Sequence, residues 1–170
     1  MKLLIDFKRM LGKSKWRVFH VLFSRAFIGV LHYRLEHSLY LVFKRAYPVI
    51  RFLLLPVFFL LQAYSNCDIH YKAQIGKGIR IHHPSLGLVI NGICKIGDYP
   101  IFTGGNCLGL NSNKHGDFTI GDFLEMGANA TIIGPLTLGD HVVVGASSCV
   151  TKSYDSDLIL VGLPAKPISS

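Results

Sequence analysis

Eight histidines and four cysteines are the residues of this 170-residue chain best suited to chemistry near neutral pH. An imidazole titrates in that range and can take the proton of a weak nucleophile such as a hydroxyl. His82 and His83 are adjacent. In an extended segment their side chains point to different faces, so one of the two is expected to serve as a base. His115 stands in the polar, turn-rich stretch LNSNKHGDF, Leu110–Phe118. His70 and His141 read as exposed turn residues. Cys67, Cys94, Cys107 and Cys149 stand alone with no C-x-x-C pair. That argues against a disulfide framework or a zinc ribbon and for a reduced, cytosolic setting. The histidine spacing matches no zinc site, and no metal is expected.

These residues sit in a chain of two compositions. Half of it is apolar and 16% is charged, which excludes a disordered chain. Residues 1–66 carry 11 Lys+Arg against 2 Asp+Glu, and residues 67–170 carry 7 against 8. Glycine divides the other way, 2 against 15. The division predicts a basic helical segment over 1–66 and a different architecture over 67–170. In the first part, Phe19, Phe23, Phe27, Val30, Leu31, Leu35 and Leu39 recur at helical steps.

Mean hydropathy is +0.39, so a membrane contact is considered. The uninterrupted apolar run Phe52–Leu61 is ten residues, whereas a span takes about 20. Pro56 is expected to kink its helix. Asp6, Lys8 and Arg9 interrupt any early secretory core. The expectation is an amphipathic segment, residues 1–64, lying in the plane of an anionic membrane surface. The alternative is packing of these helices on one another or on a partner subunit. No nucleic-acid partner is expected, because no helix-turn-helix or RRM signature accompanies the basic charge.

The second part repeats every six residues. Ile90, Ile96, Phe102, Leu108, Lys114, Ile120, Met126, Ile132, Leu138, Val144 and Val150 are in step, and ten of these eleven are bulky and apolar. Six of the eleven residues that follow them are glycine. The step also fits Ile69, Ile75 and Ile81, then slips by three residues before Ile90. Short strands with one inward aliphatic residue, each followed by a corner, make a triangular β-helix of 18-residue turns. Ile69 to Val150 gives about four and a half turns, stacked at about 4.8 Å each. The slip at His82–Leu88 and the Leu110–Phe118 stretch are expected to leave the coil as loops, where functional groups gather.

With these residues in view, the chain resembles the left-handed β-helix acyltransferases of the hexapeptide-repeat class. Within them it is most similar to the serine acetyltransferase family and its short relatives that O-acetylate surface polysaccharides. The matching stretches are DIHYKAQIGKG (Asp68–Gly78), IHHP (Ile81–Pro84), GANATIIG (Gly127–Gly134), GASSCV (Gly145–Val150) and GLPAK (Gly162–Lys166). The resemblance implies a left-handed parallel β-helix with an N-terminal helical segment. It also implies acetyl-CoA as co-substrate and a homotrimer with active sites between subunits. In the family an aspartate precedes the catalytic histidine by fifteen residues. That spacing assigns Asp68 and His83 here, the carboxylate holding the imidazole that acts as base. The cysteines are then bystanders. Gly109, Ala128 and Ala146 occupy positions whose small size admits pantetheine, and Lys166 is placed to meet a coenzyme phosphate.

The acceptor is read from departures. The family's aspartate before the base is His82 here, and the loop arginine that pairs with the serine carboxylate is Lys114 at best. His82, Lys114 and His115 are the candidate acceptor-binding residues. An amino-acid zwitterion needs both its charges answered, which this set does poorly. The chain stops at Ile168-Ser169-Ser170, without the tail by which serine enzymes dock into cysteine synthase. The expected acceptor is therefore a sugar hydroxyl of a bacterial surface polysaccharide or its precursor. The alternatives are serine O-acetylation for cysteine synthesis and a non-catalytic β-helix scaffold. The unpaired cysteines and the basic amphipathic segment lead to the expectation of a cytoplasmic chain peripheral on the inner face of the cytoplasmic membrane, and the resemblance adds that it is bacterial.

Overall fold

A computed structural model describes residues 1–13, 15–111, 113 and 115–168. Lys114, Ser169 and Ser170 lie outside the described residues. The first part is helical, as its periodicity predicts: α1 (Lys2–Leu11), α2 (Val18–Leu22), α3 (Arg25–Phe43) and α4 (Tyr47–Ser65). Ser24 caps α3 by accepting the Phe27 N–H at 3.2 Å. Asn66 ends α4 in the left-handed conformation, φ 56, with its N–H on the Gln62 carbonyl at 2.8 Å. Asparagine tolerates that conformation better than most residues.

The second part is a parallel β-solenoid. Its first turn holds β1 (Cys67–Ile69), β2 (Gln74–Ile75) and β3 (Arg80–Ile81). The second holds β4 (Leu88–Ile90), β5 (Lys95–Ile96) and β6 (Ile101–Phe102). The third holds β7 (Asn106–Leu110), β8 (Phe118–Ile120) and β9 (Glu125–Met126). The fourth holds β10 (Thr131–Gly134), β11 (Leu136–Leu138) and β12 (Val143–Val144). It ends in β13 (Cys149–Val150), β14 (Ile159–Gly162) and β15 (Ala165–Ile168), the last antiparallel to β14.

Three faces result. Face A stacks β1-β4-β7-β10-β13, face B stacks β2-β5-β8-β11, and face C stacks β3-β6-β9-β12-β14-β15. On face A the register places Ile69, Ile90, Leu108, Ile132 and Val150 in one inward, buried row. Each such side chain contributes about 1.5–3 kcal/mol on burial, so the aliphatic column holds the coil. The three-residue slip after Ile81 is a 3₁₀ turn, Pro84–Leu86, that leaves the coil between β3 and β4. The polar stretch after β7 also leaves it, and Phe118 and Ile120 regain the phase.

The helices are built into the solenoid's first turn. Val30 and Tyr33 of α3 join its buried core. The Tyr33 hydroxyl donates to the Ala73 carbonyl at 2.8 Å and accepts the Ile75 N–H at 3.1 Å. Asp6 of α1 is fully buried and accepts from Arg34 Nε at 2.9 Å and from the Ile79 N–H at 2.8 Å. Arg34 also donates to the carbonyls of Ile75 and Gly76. Arg9 donates to the carbonyls of Gly78 and Pro100, and Lys2 to that of Ile75. A second buried acid, Glu36, accepts from the Tyr47 hydroxyl at 2.6 Å and from Arg51 Nε at 2.7 Å.

α4 runs as one helix through Pro56. The proline lacks the N–H that would meet the Phe52 carbonyl. Of its 19 residues only Tyr47, Phe58 and Ser65 are buried. Phe52 and Leu53 are 75% and 72% exposed, and Val49, Phe59 and Leu60 are similarly bare. The helical stretch Arg25–Ser65 is long and apolar enough to cross a membrane, by length and composition alone. The ten-residue run in the sequence understated this, because Arg51 interrupts the run without ending the helix.

Candidate active site

His83 stands at the corner where face C turns into face A. Its backbone is left-handed, φ 49 and ψ 52, and it caps the 3₁₀ turn that follows. Such backbone is the corner device of this solenoid, shared by Tyr99, Phe123, Asn129, His141 and Ser147, so it does not by itself mark His83 out. It does change the geometry of the histidine pair. With His83 out of the extended region, the alternation that would send neighbouring side chains to opposite faces no longer applies. His82 and His83 both line one cavity.

That cavity, of about 380 Å³, lies between the solenoid corner and the first helices. Arg17, His20, Arg80, His82 and His83 supply its polar wall, together with Ser24. Met10, Val21, Ala26 and Ile81 supply the apolar wall. Burial, then the charges of Arg80 and His83, hold the His82 imidazole below its usual pKa.

Asp68 is exposed on the outward row of β1, opposite Val89. It lines a separate cleft of about 290 Å³ with Phe59, Gln62, Gly87 and Val89. The two clefts flank the 3₁₀ turn in sequence, His83 preceding it and Gly87 following it. Asn66 Nδ2 donates to the Ser85 carbonyl at 3.0 Å and ties that turn to the end of α4. Among the described residues no hydrogen bond joins Asp68 to His83.

His115 is exposed in the segment between β7 and β8, where face A turns into face B. His83 precedes face A and His115 follows it, so one chain holds them at opposite edges of that face. Lys114 lies outside the described residues.

Small residues mount the corner above His83. Gly104 meets the His83 carbonyl. The Asn129 N–H reaches the Gly104 carbonyl at 3.0 Å, and the Ser147 N–H reaches the Ala128 carbonyl at 2.8 Å. Gly104, Ala128 and Ala146 thus form one low column rising from His83. Lys166 is exposed on β15, opposite Val161. Gly109 is apart from this column, on the outer row of face A beside Ile133. A Cβ at Gly109 would meet nothing closer than 3.5 Å, so the chain's own packing does not demand glycine there.

The other polar candidates have structural partners. His70 stacks on Tyr71 and His141 on Phe123, at ring separations of 4.5 and 4.7 Å. Burial pushes the Cys67 thiol up to about 11 and that of Cys94 up to about 12. Both remain protonated at neutral pH and are poor nucleophiles. Among the described residues no group of three or more His, Cys, Asp or Glu could hold a metal ion. Arg17, His20 and Arg80 were not singled out in the sequence. Arg80 and His82 alternate along one strand, which is the signal that could have joined them. Nothing local links either to Arg17.

No family model matches the chain. Among curated proteins it is 31% identical over 160 residues to serine acetyltransferase of Helicobacter pylori, covering 93% of this chain and 88% of that protein. It is 33% identical over 144 residues to serine acetyltransferase of Synechococcus elongatus, covering 84% of this chain and 56% of that one. The chain therefore spans little more than half the length of the cyanobacterial relative. Among solved structures it matches Brucella abortus serine acetyltransferase in complex with coenzyme A, with TM-score 0.79 and 25% identity. That match covers 98% of this chain and 66% of the other.

Proposed function

The chain belongs to the serine acetyltransferase family, and from that premise we propose that it transfers an acetyl group from acetyl-CoA to an acceptor hydroxyl, with His83 as general base. The observation that carries the reading is the column of Gly104, Ala128 and Ala146 rising from His83. It is a shallow track suited to a pantetheine arm whose thioester ends beside an imidazole. The Brucella relative bound to coenzyme A supports the same donor. His83 takes the hydroxyl proton while the oxygen attacks the thioester carbonyl. The tetrahedral adduct collapses, the C–S bond breaks, and the imidazolium returns its proton to the departing sulfur. The family's fifteen-residue spacing proposes Asp68 as the carboxylate that steadies that imidazolium, a role that requires the two side chains to be brought together from the separate clefts they line here. Gly109 is a further point of close coenzyme approach, and Lys166 a cation for its phosphates.

A homotrimer suits this site. His83 and His115 lie at opposite edges of face A, so a neighbouring subunit is the source of whichever is missing. The bare apolar face of α4 supports contact with a membrane surface or a partner subunit.

The names of the relatives support L-serine as acceptor. One observation favours a sugar hydroxyl of a surface polysaccharide or its precursor instead. Among the described residues, the cavity beside His83 is lined by His82 and two arginines and by no carboxylate to receive an ammonium group. The test is acetyl-CoA turnover, read as thiol release, by wild type and His83→Ala. L-serine is supplied in one set and nucleotide-linked sugars in another. Turnover lost in the variant supports His83 as base, and the acceptor that sustains it chooses between the readings. Absence of turnover and of coenzyme binding overturns both.

A further inference from the structure

The seven arginines of this chain are answered differently; Arg25 lies over the Tyr64 ring, and Arg45 lines a separate cleft with Tyr40 and Lys44. Arg34 and Arg51 are paired with the buried carboxylates of Asp6 and Glu36. Arg9 is spent on the carbonyls of Gly78 and Pro100. Arg17 and Arg80 have no carboxylate within 4.0 Å among the described residues. Both line the cavity that contains His83.

The rest of that wall supplies no carboxylate among the described residues. His20 and His82 add two imidazoles. The Ser24 hydroxyl is already committed, donating to the Val21 carbonyl at 2.8 Å and accepting the Phe27 N–H. The acid that acts on His82 is Glu125. It stands two strands from Arg80 in the register Arg80, Ile101, Glu125, about 10 Å at the usual strand spacing. Arg80 also lies close enough to Arg9 for the two charges to oppose each other. Like charges gathered around an otherwise unanswered cavity are stabilised by an anion. A guanidinium pair offers the forked donors that match phosphate oxygens. A volume of about 380 Å³ lies within the ordinary range for small-molecule sites.

We infer that this cavity binds the phosphate of a phosphorylated or diphosphate-linked acceptor through Arg17 and Arg80, and so favours an anionic acceptor over a free amino acid. The part of the inference that concerns the acceptor rests on the reading of His83 as base; the binding of phosphate does not. A free amino acid brings an ammonium group into this wall and is disfavoured by it. A phosphate can be carried by a nucleotide, by a lipid or by the coenzyme, and the experiment separates these.

Titration calorimetry on the full chain compares wild type with Arg17→Gln/Arg80→Gln. The probes are inorganic pyrophosphate, UDP-glucose, geranyl diphosphate and coenzyme A. Both arginines are exposed and unpaired, so the variant is expected to melt where wild type does. Pyrophosphate and at least one organic diphosphate are expected to bind wild type and to weaken at least about tenfold in the variant, with coenzyme A unchanged. The better-bound organic diphosphate identifies the carrier. Arg17→Lys/Arg80→Lys should recover part of the loss, because charge returns without the fork. Equal binding by wild type and variant overturns the inference. A loss confined to coenzyme A also overturns it, by giving the cations to the donor. Acetyl-CoA turnover is scored separately. Arginine-dependent phosphate binding without turnover leaves the anion site standing and removes the transferase reading. Serine turnover untouched in the variant, without phosphate binding, does the reverse.

Discussion

Gly104 packs against the backbone carbonyl of His83, and a Cβ at position 104 would overlap that oxygen. Its φ of 56 is also one that side chains resist. The position of the candidate base is therefore set by the turn stacked above it. Gly104→Ala is expected to destabilise the fold by about 1–3 kcal/mol and to lower turnover by displacing His83. Gly109→Ala is its control, because its Cβ has ordinary room. That variant should melt like wild type and bind coenzyme A more weakly. Equal melting of the two variants would defeat the account of Gly104.

Asp6 joins helix to solenoid through Arg34 and the Ile79 N–H. Removing one partner of a buried pair leaves the other charge uncompensated, which costs about 3–5 kcal/mol. Asp6→Ala should lower the urea midpoint accordingly. Asp6→Leu/Arg34→Met should cost less than the sum of its single changes. A cost below about 1 kcal/mol for Asp6→Ala would mean that the pair is ornamental.

His32 is buried against Phe58, and its Nε2 has no hydrogen-bond partner. Glu36 is 3.7 Å away, too far to bond it. Burial chiefly lowers its pKa, with Arg51 adding to the effect and Glu36 and Asp68 opposing it. The folded state thus resists a proton that the unfolded chain accepts near its ordinary pKa of 6.5. Stability is held above that pH and falls as pH drops through and below it. His32→Leu should flatten part of this fall in urea titrations between about pH 7 and 5. An unchanged slope would remove His32 from the pH response.

The bare face of α4 predicts surface binding without a role in folding. Phe52→Glu/Leu60→Glu changes two residues that are 75% and 69% exposed. The variant should melt like wild type and sediment less with anionic vesicles. Deleting the helices is the wrong experiment, since Val30 and Tyr33 belong to the solenoid core. Vesicle binding that is absent in wild type, or equal in both, would assign this face to a partner subunit instead.

The solenoid was legible because its signal is local and repeated. One inward aliphatic residue every six positions yields the row Ile69, Ile90, Leu108, Ile132, Val150, and the slip after Ile81 becomes the 3₁₀ turn. Of the candidate site, the repeat carries only the positions of His83, Ala128 and Ala146 along the coil. The link from Asp6 to Arg34 and the sharing of one cavity by Arg17 and Arg80 join residues far apart in sequence, and no period encodes them. That His82 and His83 share one cavity with the first helices is likewise not encoded in the period. Asp68 and His83 keep their fifteen-residue spacing, yet they line different clefts. Spacing fixes positions along the coil and leaves the orientation of exposed side chains open.

A coil of parallel strands exposes amide and carbonyl edges at both ends, onto which another coil of the same pitch could dock. Here part of each end is already occupied. Arg34, Arg9 and Lys2 occupy the carbonyls of Ile75, Gly76 and Gly78 at the first turn. At the last, β15 runs against the grain of β14. These contacts oppose end-to-end growth through the edges they cover, and they leave side-by-side contact between copies open.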